Sequence, residues 1–193
     1  MELFATSIIH AIEKQIRRWI PTLTIMRPAP TGVVSPVEVP LNVYSEMGEA
    51  DAVTGILLDP DDRNCYPYLF LEQLDRHTVG RERQGLSVRH YYNYVIDVRL
   101  YIAIDPFNRE EIPRINEELR NAELMLERVL TEFEMPGEYI VTEDRRGTIQ
   151  DGVLFFSFVA PVSEYTIPLE YPKIETVEMG VALSNDKKGS GEE

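Results

Sequence analysis

The sequence predicts one α+β domain: a mainly antiparallel sheet of about four strands packed by two helices, with a long projecting β-hairpin, an inserted arm and a C-terminal extension. Three observations predict it. Apolar residues recur at three- and four-residue steps in two stretches, they alternate strictly in two others, and proline and glycine crowd the segments between. At 193 residues the chain is long enough for one proper core and short for two.

The first helix spans 3–20, where Phe4, Ile8, Ala11, Ile12, Ile16, Trp19 and Ile20 line one face and Pro21 ends the run. Residues 27–59 carry Pro28, Pro30, Gly32, Pro36, Pro40, Gly48 and Gly55 with only short apolar pieces, and read as an inserted arm or loop. Tyr66 to Leu74 is a short strand with Pro67 near its start. From Tyr92 to Ile104 the positions Tyr92, Tyr94, Ile96, Val98, Leu100, Ile102 and Ile104 form an apolar face, with Asn93, Asp97 and Arg99 opposite. The connection 75–90 reads as the tip of a long hairpin, and it is basic: Arg76, Arg81, Arg83 and Arg89 stand against Asp75 and Glu82.

Asp105 and Pro106 break that strand, and Asn108 with Glu111 three residues on resembles a capping box, with Pro113 in the first turn. Ile112, Ile115, Leu119, Ala122, Leu126, Val129 and Phe133 then mark a helix laid across the sheet, stopped by Pro136-Gly137. Residues 138–143 and 148–165 read as two strands joined by the turn Asp144-Arg145-Arg146-Gly147, with Gly152 as a bulge. Leu154, Phe156, Phe158, Ala160 and Val162 give the last strand its apolar face. The body is therefore 1–165, with 166–183 as an extended C-terminal arm and 184–193 as a polar, Gly-rich, flexible tail.

Acidic residues outnumber basic ones, 33 to 19, so the surface repels phosphate backbones and specific nucleic-acid binding is disfavoured. Cys65 is the single cysteine, which excludes an internal disulfide and a thiolate cluster and suits a reducing cytoplasm. The amino terminus lacks a signal-peptide pattern, and no apolar run approaches the ~18 to 20 residues needed to cross a bilayer.

The chemistry-bearing residues do not assemble into a motif. His10, His77 and His90 are scattered, outside metal-ligand spacing of one another or of Cys65. Asp59, Asp61 and Asp62 lack the glycine and distal glutamate of a calcium loop and read as a solvated turn. Gly80 and Gly85 belong to a hairpin and not to a phosphate-cradling turn, and Ser87 and Ser157 lack a nucleophile elbow. Cys65 beside an aromatic strand reads as a small buried hydrophobe. The expectation is a non-enzyme with no cofactor and no metal. The basic hairpin is the one feature with a functional reading, as a contact surface for an acidic partner or for a second copy of this acidic chain.

The order helix, long hairpin, helix, second hairpin carries a resemblance. With Tyr66-Pro67-Tyr68-Leu69-Phe70-Leu71 opening the first hairpin, Tyr91-Tyr92-Asn93-Tyr94 opening its return strand and Asp151-Gly152-Val153-Leu154-Phe155-Phe156 near the end, 1–165 without the arm resembles the phage tail terminator family and the related neck and tail-completion proteins. The resemblance implies a virion protein assembled in the host cytoplasm as a homomeric ring, usually a hexamer, on the end of the tail tube. Such a ring stops tube growth and offers a docking face to a neck or head–tail connector protein, with DNA merely passing through its lumen. By position it assigns subunit or tube contacts to Arg76, Arg81, Arg83, Arg89 and His90, with Asp97 and Arg99 on the mixed strand face. The insertion and the extension depart from the compact family pattern; if they grip a tail sheath or collar, the tail is contractile. The rival readings are a neck or head-completion (head–tail joining) protein, a tail tube or baseplate subunit and, from another class, a small-ligand binding domain.

Overall fold

A computed structural model describes residues 4–28, 33–46, 48, 50–84, 87–103, 111–135 and 138–166. Along the chain lie α1 (Phe4–Trp19), β1 (Thr22–Pro28), β2 (Val34–Pro40), β3 (Asn42–Ser45), a 3-10 turn (Arg63–Cys65), β4 (Tyr68–Gln84), β5 (Ser87–Tyr101), α2 (Ile112–Val129), β6 (Glu132–Met135), β7 (Glu138–Val141), β8 (Glu143–Gln150) and β9 (Val153–Thr166). The predicted class holds: this is α+β, with a five-stranded sheet in the order β3-β4-β5-β9-β8 and two separate ribbons, β1-β2 and β6-β7. All pairings are antiparallel except β3 with β4.

Alternation along the strands gives the sheet two unlike faces. On the first, Leu69 and Leu71 of β4, Ile96, Val98 and Leu100 of β5, and Leu154, Phe156 and Phe158 of β9 are buried, and register places Leu100 between Leu69 and Leu154. The helices cover this face, α1 with Ile8, Ile12 and Ile16 and α2 with Ile115, Leu119, Ala122 and Leu126, all in one core cluster. Gln15 of α1 ties the layer together by donating from Nε2 to the carbonyls of Val129 and Glu132, at 3.2 and 3.1 Å, where α2 ends and its last C=O groups need partners.

The opposite face is covered at its β3 edge. There the segment 50–67 folds back, and Tyr44, Cys65, Tyr66 and Tyr68 form a second, smaller cluster against Phe70 and Tyr101. Asp51 anchors this flap. Its buried carboxylate accepts from the backbone N–H of Val43, Val53 and Thr54 at 2.8, 2.9 and 2.6 Å and pairs with Arg17 of α1 at 2.7 Å. Burial pushes the Asp51 carboxyl up, but these donors and the Arg17 guanidinium outweigh it and hold the group well below the usual aspartate value. Cys65 is buried, as expected of a small hydrophobe, and its Sγ donates to the Leu57 carbonyl at 3.1 Å.

Several sequence expectations need correction. Residues 27–59 are not a plain arm: they contain the end of β1, all of β2, and β3, which joins the main sheet. Prolines 28, 36 and 40 had argued against strands, yet they sit in a two-stranded ribbon where every strand is an edge. The residues assigned to the hairpin tip are mostly strand, since β4 and β5 stay paired out to Gln84↔Ser87. Phe133 belongs to β6, not α2; it is buried all the same, so the apolar period ran through the helix end unbroken. The turn placed at 144–147 lies inside β8, and the chain reverses at Asp151-Gly152. Both residues have positive φ, 52° and 71°, which is the two-residue hairpin turn that Asp-Gly favours. Asp144, at φ 49°, instead sits at the irregularity between Glu143 and Arg146. Trp19, expected on the core face of α1, is 57% exposed. The N-cap of α2 is Glu111 without a side-chain cap bond; Asn108 and Ile104 lie outside the described residues, as do 167–193, the expected C-terminal arm and tail.

Candidate functional site

Past the helices the sheet narrows to a three-stranded extension. β9 accompanies β5 as far as Val88↔Thr166, and β4 accompanies it to the tip, so the projecting hairpin is stiffened by a third strand. On the helix-side face of β5 the residues grade from Ile96 through Tyr94 and Tyr92 to His90 and Val88. The tyrosines take over where the helices stop, because a ring with a polar tip closes a core against water. Tyr94 donates from its hydroxyl to Glu164 at 2.6 Å, Arg76 pairs with Glu164 at 3.2 Å, and the Arg76 guanidinium lies 3.7 Å over the Tyr92 ring. Burial, and then the bond to Glu164, push the Tyr94 hydroxyl well above the usual tyrosine value, so it remains a donor.

The seven residues expected at an interface therefore divide into four groups. Arg76 closes the core at the root of the extension. Arg81, Arg83 and His90 come together near the tip around Val88, lining one shallow concavity. Arg89 lies on the other face, donating to Ser163 Oγ at 2.7 Å, as alternation along β5 requires. Asp97 and Arg99 sit far below on that other face, where Arg99 bridges Asp97 at 2.9 Å and Glu72 at 2.7 Å across the β4–β5 pair. Among the described residues this ion-pair group and the basic tip are separate features.

The outer edge of β4 beyond Leu71 pairs with no strand among the described residues. It is irregular, with register shifts at Gln73/Asp75 and Thr78/Gly80, and the skipped residues Leu74 and Val79 are 53% and 62% exposed. Bulges and charges such as Arg76, Arg81 and Arg83 blunt an edge against indiscriminate pairing, while each bulge re-aims an apolar side chain outward.

At the far end of the molecule, β1 packs on α2 through Leu23 and Ile25 and leaves a groove of ≈ 530 Å³. Its apolar wall includes Trp19 and Met125, and its acids are Glu38, Glu117 and Glu118, with Arg114 the one basic residue of the lining. Glu118 is structural: it accepts from the Met26 N–H at 2.6 Å and faces Arg114 at 4.0 Å. Burial raises its carboxyl above the usual glutamate value against the lowering effects of Met26 and Arg114. The groove's other polar lining residues are Thr22, Thr24 and Asn121.

Sequence reasoning missed this groove, because Glu38, Glu117 and Glu118 look like any acids in an acidic chain. It also missed Asp51, although Asp51-Ala52-Val53-Thr54-Gly55 carries a turn signal: the Thr54 hydroxyl returns to Asp51, and Gly55 adopts φ 68°. Among the described residues no group of three His, Cys, Asp or Glu is placed to hold a metal ion, and no helix is long and apolar enough to cross a membrane. Compared with protein-family models and with curated proteins, the chain matches none.

Proposed function

We propose that the chain is a structural virion subunit, a tail terminator that closes into a ring on the end of a phage tail tube, stops its growth and presents a docking face to the head. The observation that carries this reading is the β4–β5–β9 extension, which leaves the helix-covered body and ends in Arg81, Arg83 and His90. An isolated domain gains little from ordering such a strand extension. A subunit whose two ends are chemically different gains a contact that points from one copy to the next, as a cyclic head-to-tail assembly requires. The succession α1, β4–β5 hairpin, α2, β8–β9 hairpin is compatible with the resemblance, to which the ribbons β1–β2 and β6–β7 and the strand β3 are additions. The net charge of −14 suits a lumen through which DNA slides without sticking.

The direct test is to add the purified chain to polymerising tail-tube protein and image tube lengths and ends by electron microscopy. Tubes that stop growing and carry a ring at one end support the reading. Tubes whose lengths and ends are unchanged reject it.

A further inference from the structure

We propose that the arginine-bearing hairpin tip of one copy docks in the acidic groove between β1 and α2 of the next copy. This rests on the ring reading above and supplies its two contact patches. The patches are opposite in charge: Arg81, Arg83 and His90 surround Val88 at the tip, while Glu38, Glu117 and Glu118 outnumber Arg114 in the groove. Their apolar parts match as well, with Val88 offered at the tip and Trp19 and Met125 exposed in the groove at 57% and 38%.

The two patches cannot meet within one chain. Val88 pairs near the start of β5, and the groove is lined by Ile102, one residue past its end. At about 3.3 Å per residue, those strand positions are roughly 45 Å apart along a rigid sheet. The tip therefore has to find a groove on another molecule. Joining unlike patches at opposite ends of a subunit generates a head-to-tail series, closed as a ring or open as a filament.

The test uses charge reversal in the full chain at exposed positions outside the core. Tip variant Arg81→Glu/Arg83→Glu has two acidic patches; groove variant Glu38→Lys/Glu117→Lys has two basic ones, and Glu118 is left alone because it holds β1. Each variant alone is expected to self-associate at least about ten-fold more weakly than the parent chain in analytical ultracentrifugation at low salt, since like charges face each other. Mixed in equal amounts they are expected to recover association, because an alternating series restores both contacts. A misfolded variant would not recover on mixing. Variants that associate like the parent, or a mixture no better than its components, would overturn the tip–groove contact. If variants and parent cap tubes equally well, the contact is wrong and the ring reading stands. If the mixture associates but neither it nor the parent touches tubes, the contact stands and the tail reading falls.

Discussion

The two ends of the long sheet are built from the same strands and serve different purposes. At the base, Leu69, Leu100 and Leu154 lie side by side under two helices, and the Asp51-anchored flap covers the β3 edge of the other face. At the hairpin end β4, β5 and β9 run on beyond the helices, and their side chains turn to tyrosine, histidine and arginine. One strand is thus core for half its length and polar, more exposed surface for the rest, the change being made side chain by side chain without a break in hydrogen bonding. Stability should therefore reside at the base and association at the tip.

Mutations can break this contrast, beginning with the base. Phe156→Ala, at a position 1% exposed in the centre of the core, should cost about 3–5 kcal/mol in denaturant unfolding followed by circular dichroism. A loss below about 1 kcal/mol would show that the core is not where the sheet is held. Asp51→Ala comes next, at about 2–3 kcal/mol, because it leaves three backbone donors inside the flap without an acceptor and leaves Arg17 with Glu13 as its remaining charged partner. The same residue sets a pH dependence. Its folded value is depressed below the ordinary 3.8, so its contribution is full well above pH 3.8 and is lost as pH falls below that value. The unfolding midpoint of the parent chain should fall through this acid window more steeply than that of Asp51→Asn.

Gly152→Ala should cost about 1–2 kcal/mol, since φ of 71° is strained for any residue with a Cβ. Smallest of all, Arg81→Glu/Arg83→Glu should change unfolding free energy by no more than about 0.5 kcal/mol while weakening association. A large stability loss there would mean that the tip is part of the fold.

How much of this the sequence revealed depended on whether one face dominated. α1, α2, β5 and β9 were legible because each buries one long stripe, so the period of the apolar residues is the period of the backbone. The β1–β2 ribbon was not, because Val34 and Val37 face solvent and the prolines suggested a loop. β3 is only four residues, and a parallel edge strand announces itself through its partner rather than through its own sequence. The second hairpin was misplaced because Asp-Arg-Arg-Gly resembles a turn as much as Asp-Gly does, though only the latter supplies two residues suited to positive φ. For the candidate surfaces, the basic tip was visible as composition. That Arg76 shares a face with Arg81 and Arg83 was not, because it depends on the register shift between Thr78 and Gly80. The acidic groove needs residues brought together from β1, β2 and α2, which no local pattern reports.

The measurement that tests the central claim most directly is the mass of the full chain, alone and mixed with isolated tail tubes, by native mass spectrometry and light scattering. The account predicts a closed ring, either preformed or assembled from monomers on tube ends. A chain that stays monomeric at every concentration and is indifferent to tubes would contradict it.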